Sequence, residues 1–144
     1  MNNLESTSFT LEGEPKLLDY IETVQVKDGV TCDIYTFKED TNCDIAKIIV
    51  NKGVSTPLQK VLEGTKTIEG YISGKGILRV TDESGLVTNH IFPNSQSKTE
   101  VIIEVGQIMQ WTASIDSDLS FYEICYPPYR DGRFEDQTSK LPTY

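Results

Sequence analysis

The sequence predicts an all-β protein built as a sandwich or a closed barrel. Runs rich in β-branched and aromatic residues recur along the chain, and residues that favour turns separate them. No segment carries a helical apolar stripe over several turns. Many short strands at this spacing are typical of β-sandwiches and β-barrels.

The N-terminal part of the chain predicts an arm followed by a hairpin. Residues 1–14 are polar with little periodicity, so we expect a mobile arm. Asp28-Gly29 separates two runs that favour strands, which is a strong hairpin signal. The strands predicted here are Leu17–Val26, Val30–Phe37 and Ala46–Val50, with a polar loop at 38–42 and one short helical turn as an alternative at Pro15–Tyr20.

The rest of the chain repeats the strand-and-turn pattern up to Pro127-Pro128. A length of 144 residues fits one domain, which we place at residues 15–130. The tail at 131–144 is polar, contains Gly132 and Pro142, and is predicted to be irregular. The strands predicted in this part are Thr67–Ser73, Gly76–Thr81, Leu86–Phe92, Lys98–Val105, Gln107–Thr112 and Leu119–Tyr126.

The composition disfavours nucleic-acid and membrane partners. The 22 acidic and 13 basic residues give a formal charge of -9, which repels phosphate backbones and anionic lipid surfaces. No apolar run is long enough to span a bilayer, and the segment Met1–Ser6 lacks the features of a secretory signal. Three cysteines form an odd, sparse set that suits a reducing compartment. We therefore expect a cytoplasmic protein.

Four short segments carry a family resemblance that covers about residues 46–130. They are Gly53–Leu58, Tyr71–Gly76, Gly106–Trp111 and Ile124–Pro128. The first two match the opening and the closing turn of the first cupin motif, and the third matches the opening of the second motif. The fourth resembles the last barrel strand and its exit. The chain thus resembles the cupin superfamily, which implies a cupin-type double-stranded β-helix, or jelly-roll barrel.

The positions of the family's metal ligands hold other residues. Counting from the motif glycines places Gln59 and Val61 at the two histidine positions. Thr67 stands at the glutamate position and Ser117 at the last histidine position. First-row divalent metals in such sites need imidazole and carboxylate ligands, so we predict no metal and no cofactor. An off-register carboxylate site would have to draw on Glu63, Glu69, Glu123 or a cysteine, and nothing in the spacing requires it.

Three residues are candidates for acid–base chemistry: Glu69, Tyr71 and Glu123. Side chains two apart share a face of a strand, so Glu69 and Tyr71 should point into the barrel with Thr67. A carboxyl group in an apolar interior has a raised pKa and can exchange protons. The alternative is that Glu69 is a structural carboxylate paired with Lys66, Lys75 or Arg79. Glu123 could act with Tyr122, or both could complete the hydrogen bonding of the barrel.

The predicted ligand-binding residues are Gln59, Val61, Thr67, Trp111, Ser117 and Phe121. Trp111 would either form the floor of a pocket or fill the end of the barrel. Periodicity leaves open whether Phe121 and Glu123, or instead Tyr122 and Ile124, point inward. His90 lies outside both motifs, and we interpret it as an ordinary strand residue. The aromatic and arginine-rich segment 126–136 would cap the barrel or contact a second subunit.

These residues support three hypotheses about function. The first is a metal-independent enzyme of the isomerase, epimerase or lyase type that acts on a small polar molecule through acid–base groups. The second is a sensing or accessory module that binds such a molecule without converting it. The third is a dimeric scaffold, since the resemblance implies a homodimer through N-terminal strands at about residues 15–37. Small-molecule binding is common to the first two, and fold alone does not decide between them.

We expect native mass spectrometry of the freshly purified protein to show no stoichiometric divalent metal. The physical reason is that Gln59, Val61, Thr67 and Ser117 supply neither imidazole nor carboxylate where the family binds metal. The measurement compares native and denatured masses. A native mass higher by one divalent metal per chain would contradict the prediction and direct attention to an off-register carboxylate site.

Overall fold

Two antiparallel sheets form the described part of the chain. The structure, a computed structural model, describes residues 7–11, 13–96, 98–129 and 132–137, and these residues contain twelve strands and no helix. The strands are β1 Thr7–Leu11, β2 Glu14–Lys27, β3 Val30–Phe37, β4 Asp40–Val50, β5 Gln59–Val61, β6 Lys66–Gly74, β7 Gly76–Thr81, β8 Val87–Phe92, β9 Glu100–Ile103, β10 Ile108–Ala113, β11 Leu119–Tyr126 and β12 Phe134–Asp136. The predicted all-β class is confirmed.

The order of strands brings distant parts of the chain together. The seven-stranded sheet runs β1-β2-β3-β4-β11-β6-β9, and the five-stranded sheet runs β12-β5-β10-β7-β8. Strand β11 therefore lies between β4 and β6 in the larger sheet, and β10 lies between β5 and β7 in the smaller one. The central positions of both sheets are thus occupied by strands that carry candidate site residues.

Residues of both sheets form one interior core. It contains Trp111 and Leu78 from the smaller sheet and Phe121 and Ile48 from the larger one, each of them buried. Strand β11 contributes alternate residues to this core, as a strand with one buried face must. Phe121 and Glu123 consequently face the interior, which answers the question that periodicity left open.

A second cluster packs on the outer face of the larger sheet. It includes Ile68 of β6 and Ile124 of β11, with Tyr122 packed against them. Gly70 allows this packing, because a Cβ atom there would lie only 2.0 Å from the Tyr122 ring carbon Cζ. The larger sheet is therefore covered on both faces where β4, β6 and β11 meet.

The N-terminal segment differs from its prediction. Residues 7–11 form β1 and pair with β2, whereas residues 1–14 were expected to be a mobile arm. Leu11 is buried, and the Phe9 ring packs edge-on against Tyr122 with centroids 4.9 Å apart. The alternation of Phe9 and Leu11 with polar residues was the available sign of this strand in the sequence. Residues 1–6 and 12 lie outside the described residues.

The chain also differs from prediction at three other places. Strand β4 begins at Asp40 instead of Ala46, and Pro15–Tyr20 belongs to strand β2 and does not form a helical turn. Strand β5 was not predicted, and it pairs with β12, which lies in the tail expected to be irregular. Residues 131 and 138–144 of that tail lie outside the described residues.

Arg133 fixes the tail to the barrel. Its side chain is buried, with 2% of the residue exposed. The guanidinium donates hydrogen bonds to the carbonyl oxygens of Lys66, Tyr126 and Pro127 and to the Thr67 hydroxyl, over 2.8–3.2 Å. A buried arginine with these partners holds β12 in place against the end of β6.

The part of the chain that the structure describes contains no helix long and apolar enough to cross a membrane.

The turn between β6 and β7 supplies a test of this packing. We expect Gly74→Ala to lower the free energy of unfolding more than Gly85→Ala, although both glycines have positive φ, of 88° and 91°. Strain at such a φ costs about 1–3 kcal/mol in either variant. At Gly74 the new Cβ would also lie 1.9 Å from the carbonyl oxygen of Asp118, whereas Gly85 has nothing within 4 Å.

Urea denaturation measures the difference between the two variants. The clash with a fixed backbone atom should add about 1–3 kcal/mol to the loss at Gly74. Equal losses in the two variants would show that the β6–β7 turn does not approach Asp118 as closely as described.

Candidate functional site

A cavity of about 510 Å³ lies between the two sheets. Its inner wall is formed by apolar side chains such as Met109, Trp111 and Phe121. Val24 and Val26 of β2 line its outer part and are 37% and 42% exposed, so the cavity opens to solvent beside β2. Its volume falls within the usual range for small-molecule sites, about 300–1,000 Å³.

A column of aromatic rings fixes the inner wall. Trp111 stacks on Phe121 with ring centroids 4.2 Å apart, and its other neighbour is Phe92 at 5.5 Å. Tyr71 stacks in turn on Phe92 at 5.2 Å. Rings packed in this way have little freedom to rotate, so the indole of Trp111 presents a fixed N–H group to the interior.

That N–H group donates to the most deeply buried carboxyl group of the site. The Nε1 atom of Trp111 lies 2.7 Å from Oε1 of Glu69, which is 0% exposed. The second oxygen, Oε2, is buried and has no hydrogen-bond partner among the described residues. A buried polar atom without a partner carries the full cost of losing water, about 1–3 kcal/mol.

The environment of Glu69 favours its protonated form. Burial raises its pKa well above the ordinary value, and the charge of the neighbouring Glu123 raises it further. A side-chain interaction with Glu123 also raises this pKa, whereas the hydrogen bond from Trp111 lowers it. Together these effects favour the protonated form of Glu69.

Strand pairing places the two glutamates side by side. Glu123 of β11 is directly opposite Glu69 of β6, and on its other side it is opposite Ala46 of β4. The thiol of Cys125 donates to Oε1 of Glu123 across 3.8 Å. A carboxylic acid beside a partly exposed carboxylate forms a pair that can donate and accept a proton.

The cysteines near this pair are not nucleophiles. Burial, followed by the charge of Glu123, raises the pKa of Cys32 to about 12 and also raises the pKa of Cys125. Since the thiolate is the reactive form of cysteine, both groups stay protonated and inert at neutral pH.

A third acidic residue, Asp44, also lines the cavity. Burial raises its pKa, while a hydrogen bond from the backbone N–H of Tyr129, at 2.9 Å, opposes that rise. Asp44 precedes Ala46 by two residues on β4, so it shares the inward face with that alanine. We missed it in the sequence because the strand was predicted to begin at Ala46, and the alternation upstream of that residue was the available signal.

The structure brings five of the predicted site residues to the cavity. Their catalytic and binding roles stay predictions. The five are Glu69 and Glu123 together with Gln59, Trp111 and Phe121.

The other four predicted residues do not line the cavity, which corrects their placement. Tyr71 faces the interior, but its hydroxyl donates to the carbonyl of Gly74 at 2.7 Å. Val61 packs in the interior core. Thr67 is 0% exposed and accepts the hydrogen bond from Arg133. Ser117 lies in the turn before β11 and donates to the Asp118 carbonyl.

Two predicted pairings also differ from the structure. Tyr122 and Glu123 lie on opposite faces of β11, and the Tyr122 hydroxyl donates to Glu100 on the outer face. The hydrogen-bond partner of Glu69 is Trp111, whereas Lys66, Lys75 and Arg79 were the alternatives. His90 lies on β8 and does not line the cavity.

The residues at the family's metal positions do not fit a divalent metal. Val61 has no donor atom, and the hydroxyl of Thr67 already accepts from the cationic side chain of Arg133. Ser117 is bonded within its own turn, so Gln59 is the only one of these four residues that lines the cavity. Within the described residues, no three His, Cys, Asp or Glu side chains are grouped to hold a metal ion.

No protein-family model matches the chain. No curated protein matches it either. Among solved structures, it is similar to oxalate decarboxylase from Bacillus subtilis, with a TM-score of 0.67 and 20% identity over 85% of this chain and 32% of that chain. The capsular polysaccharide assembling protein CapF from Staphylococcus aureus is similar with a TM-score of 0.61 and 18% identity, over 83% of this chain and 31% of that chain.

Both of these proteins contain a cupin fold. This chain has the cupin fold. It spans about one third of the length of the two solved structures, so the likeness concerns one barrel and not those whole proteins. The cupin resemblance drawn from the glycine-anchored segments is confirmed at the level of the fold.

The buried carboxyl of Glu69 predicts that the difference in free energy of unfolding between wild type and Glu69→Gln depends on pH. Its folded-state pKa is raised, so the unfolded chain loses this proton first as the pH rises above about 4.5. The wild type should then lose stability relative to Glu69→Gln, by up to about 1.4 kcal/mol per pH unit, until the folded-state pKa is reached. Below pH 4.5 the difference should be constant.

Urea denaturation at a series of pH values measures this difference. Glutamine keeps the size of the side chain, accepts from Trp111 and does not titrate. Glu104→Gln, at an exposed position, is the matched control and should follow the wild type. A constant difference between wild type and Glu69→Gln from pH 4 to pH 8 would contradict the assignment of a buried proton to Glu69.

Proposed function

We propose that this cupin barrel binds a small polar organic molecule in the cavity between its sheets, without a metal. The observation that carries the proposal is the fully buried Glu69, which is one of the residues that line the cavity and whose Oε2 has no partner among the described residues. A ligand with a polar group at this point would supply the missing hydrogen bond, and its apolar part would contact Trp111 and Phe121.

The carboxyl pair supports acid–base catalysis as a second candidate function. Glu69 would donate a proton to the bound molecule, and Glu123 would accept one from it. Trp111 would act as a positioning residue because its N–H group fixes Oε1 of Glu69. An isomerase, epimerase or lyase of the proton-transfer type would need only these groups.

The activities of the structural neighbours do not transfer to this site. Oxalate decarboxylase from Bacillus subtilis has Mn(II) centres, whereas the donors at the corresponding positions here do not fit a metal. Oxalate is also a dianion, and this cavity is bordered by Asp44, Glu69 and Glu123. An anionic substrate would meet like charges, so we do not propose one.

Oligomeric state and location form part of the same proposal. Strand β2 exposes Leu17 and Ile21, at 53% and 52%, which supports a homodimer through the N-terminal strands. Sedimentation of a monomer would argue against it. Cys32 and Cys125 form no disulfide, which supports a reducing compartment, the cytosol, and cell fractionation would test this.

Capture from a metabolite extract tests the binding proposal. We expect wild-type protein to retain a small molecule that mass spectrometry detects after denaturation, and we expect Ala46→Phe to lose it because phenylalanine fills the cavity. Ile49→Phe is the matched control, since Ile49 is on the same strand with its side chain 37% exposed. Equal capture by wild type and Ala46→Phe, or no capture by either, would refute binding in the barrel and favour the dimeric scaffold.

Turnover of the captured compound separates the enzyme from the binding module. If Glu69 acts as the acid, Glu69→Gln should lower the rate about 10²–10⁴-fold with binding retained. An unchanged rate in this variant would exclude Glu69 from the chemistry.

A further inference from the structure

The charge of the cavity points to the kind of ligand it takes. Four acidic residues line it, and no lysine, arginine or histidine of the described residues does. They are Glu22 at the exposed outer rim, Asp44 and Glu123 at intermediate depth, and Glu69 at the fully buried inner end. Acidic groups therefore line the cavity from its opening to its floor.

Within the described residues, Glu123 has no ion-pair partner. Its carboxylate accepts a hydrogen bond from the neutral thiol of Cys125. Arg133 is a buried cation of the same barrel, but its guanidinium donates to three carbonyl oxygens and to Thr67. A partly buried carboxylate without a paired cation is costly unless something else supplies the positive charge.

A second and independent observation indicates a ligand at the same point. Oε2 of Glu69 is buried and has no partner among the described residues, and Glu69 is one of the residues that line the cavity. Glu69 lies opposite Glu123 in the β6–β11 pair, so one ligand group can lie beside both carboxyls. A ligand group beside Glu123 must donate hydrogen bonds or carry positive charge, because a carboxylate only accepts. A positive charge there also favours the charged form of Glu69, in which Oε2 accepts.

The aromatic wall completes the description of the ligand. The stacked rings of Trp111 and Phe121 both border the cavity. Because Trp111 lies between Phe121 and Phe92 in the ring column, the rings offer the ligand an apolar contact surface. Acidic groups beside an apolar wall suit an ammonium group with a hydrocarbon part, whereas anions need the basic residues that this lining lacks.

We propose that the cavity binds an organic cation, with its ammonium group between Glu123 and Glu69 and its hydrocarbon part against Trp111 and Phe121. This inference rests on the proposed function and names the ligand class for the same site. The ammonium group supplies the charge that Glu123 lacks and a contact for Oε2 of Glu69. A neutral molecule of the same shape gains only the apolar contact, and an anion is repelled.

Four compounds of closely similar branched shape test the proposal directly. They are choline and 3,3-dimethylbutylamine, which are cations, the neutral 3,3-dimethylbutan-1-ol, and the anion 3,3-dimethylbutanoate. Trp111 is the single tryptophan of the chain, so its fluorescence reports on the cavity. We expect saturable changes with both cations, at least tenfold weaker binding of the alcohol, and no binding of the anion.

Two variants locate the charge that recognises the cation. Glu123→Gln keeps the shape of the side chain and should weaken cation binding at least tenfold while leaving the affinity for the alcohol unchanged. Glu104→Gln removes the same charge from an exposed position outside the cavity and should bind the cations like the wild type. Circular dichroism of each variant controls for folding.

The possible outcomes distinguish this inference from the proposed function. Tighter binding of the alcohol or the anion, or no saturable response to either cation, would overturn the organic-cation ligand. Capture of a neutral or anionic metabolite by wild type but not by Ala46→Phe would preserve binding in the barrel and overturn the ligand class alone. Capture of a cationic metabolite, lost in Glu123→Gln, would support both.

Discussion

The hydrogen bond from Trp111 to Glu69 joins the two sheets at the centre of the molecule. Trp111 belongs to β10 of the smaller sheet, and Glu69 belongs to β6 of the larger one. The hydrogen bond is strong because the interior excludes water. The same exclusion of water raises the pKa of the Glu69 carboxyl. The ring stack that fixes Trp111 and the strand pairing that brings Glu123 beside Glu69 both act through this contact.

Arg133 also joins separate parts of the fold, at the position where metal-binding cupins have a glutamate ligand. Thr67 stands there, and its hydroxyl accepts from the guanidinium. The positive charge beside Thr67 therefore belongs to the Arg133 side chain, and this side chain joins β12 to the barrel. A Cβ on Gly64 would lie 2.5 Å from the guanidinium nitrogen Nη1, so this glycine leaves the space that the arginine needs. The tail thus belongs to the barrel's architecture.

The sequence predicted the central strands and the inward face of Glu69 because both depend on local alternation, whereas it left the face of Glu123 open. It missed β5 and β12, since three-residue strands are defined by distant partners and have no period of their own. Ser73, two residues after Tyr71, is exposed and does not continue the inward face, because the β6–β11 register shifts between Ser120 and Phe121 and the alternation beyond that bulge is lost. Which inward residues border open space, as Glu69 does and Tyr71 does not, is decided by three-dimensional packing.

The choice of a carboxyl at position 69 argues for function over structure. A glutamine would accept from Trp111, donate towards Glu123 and avoid the loss of stability that deprotonation of the unfolded chain imposes at neutral pH. The glutamate gives an advantage only where its proton moves or where the negative charge of the carboxyl pair matches a ligand. Both uses require the open space beside it, and the cavity lies there. The proposed ligand, in contact with Glu69, would explain the burial, the raised pKa and the cavity together.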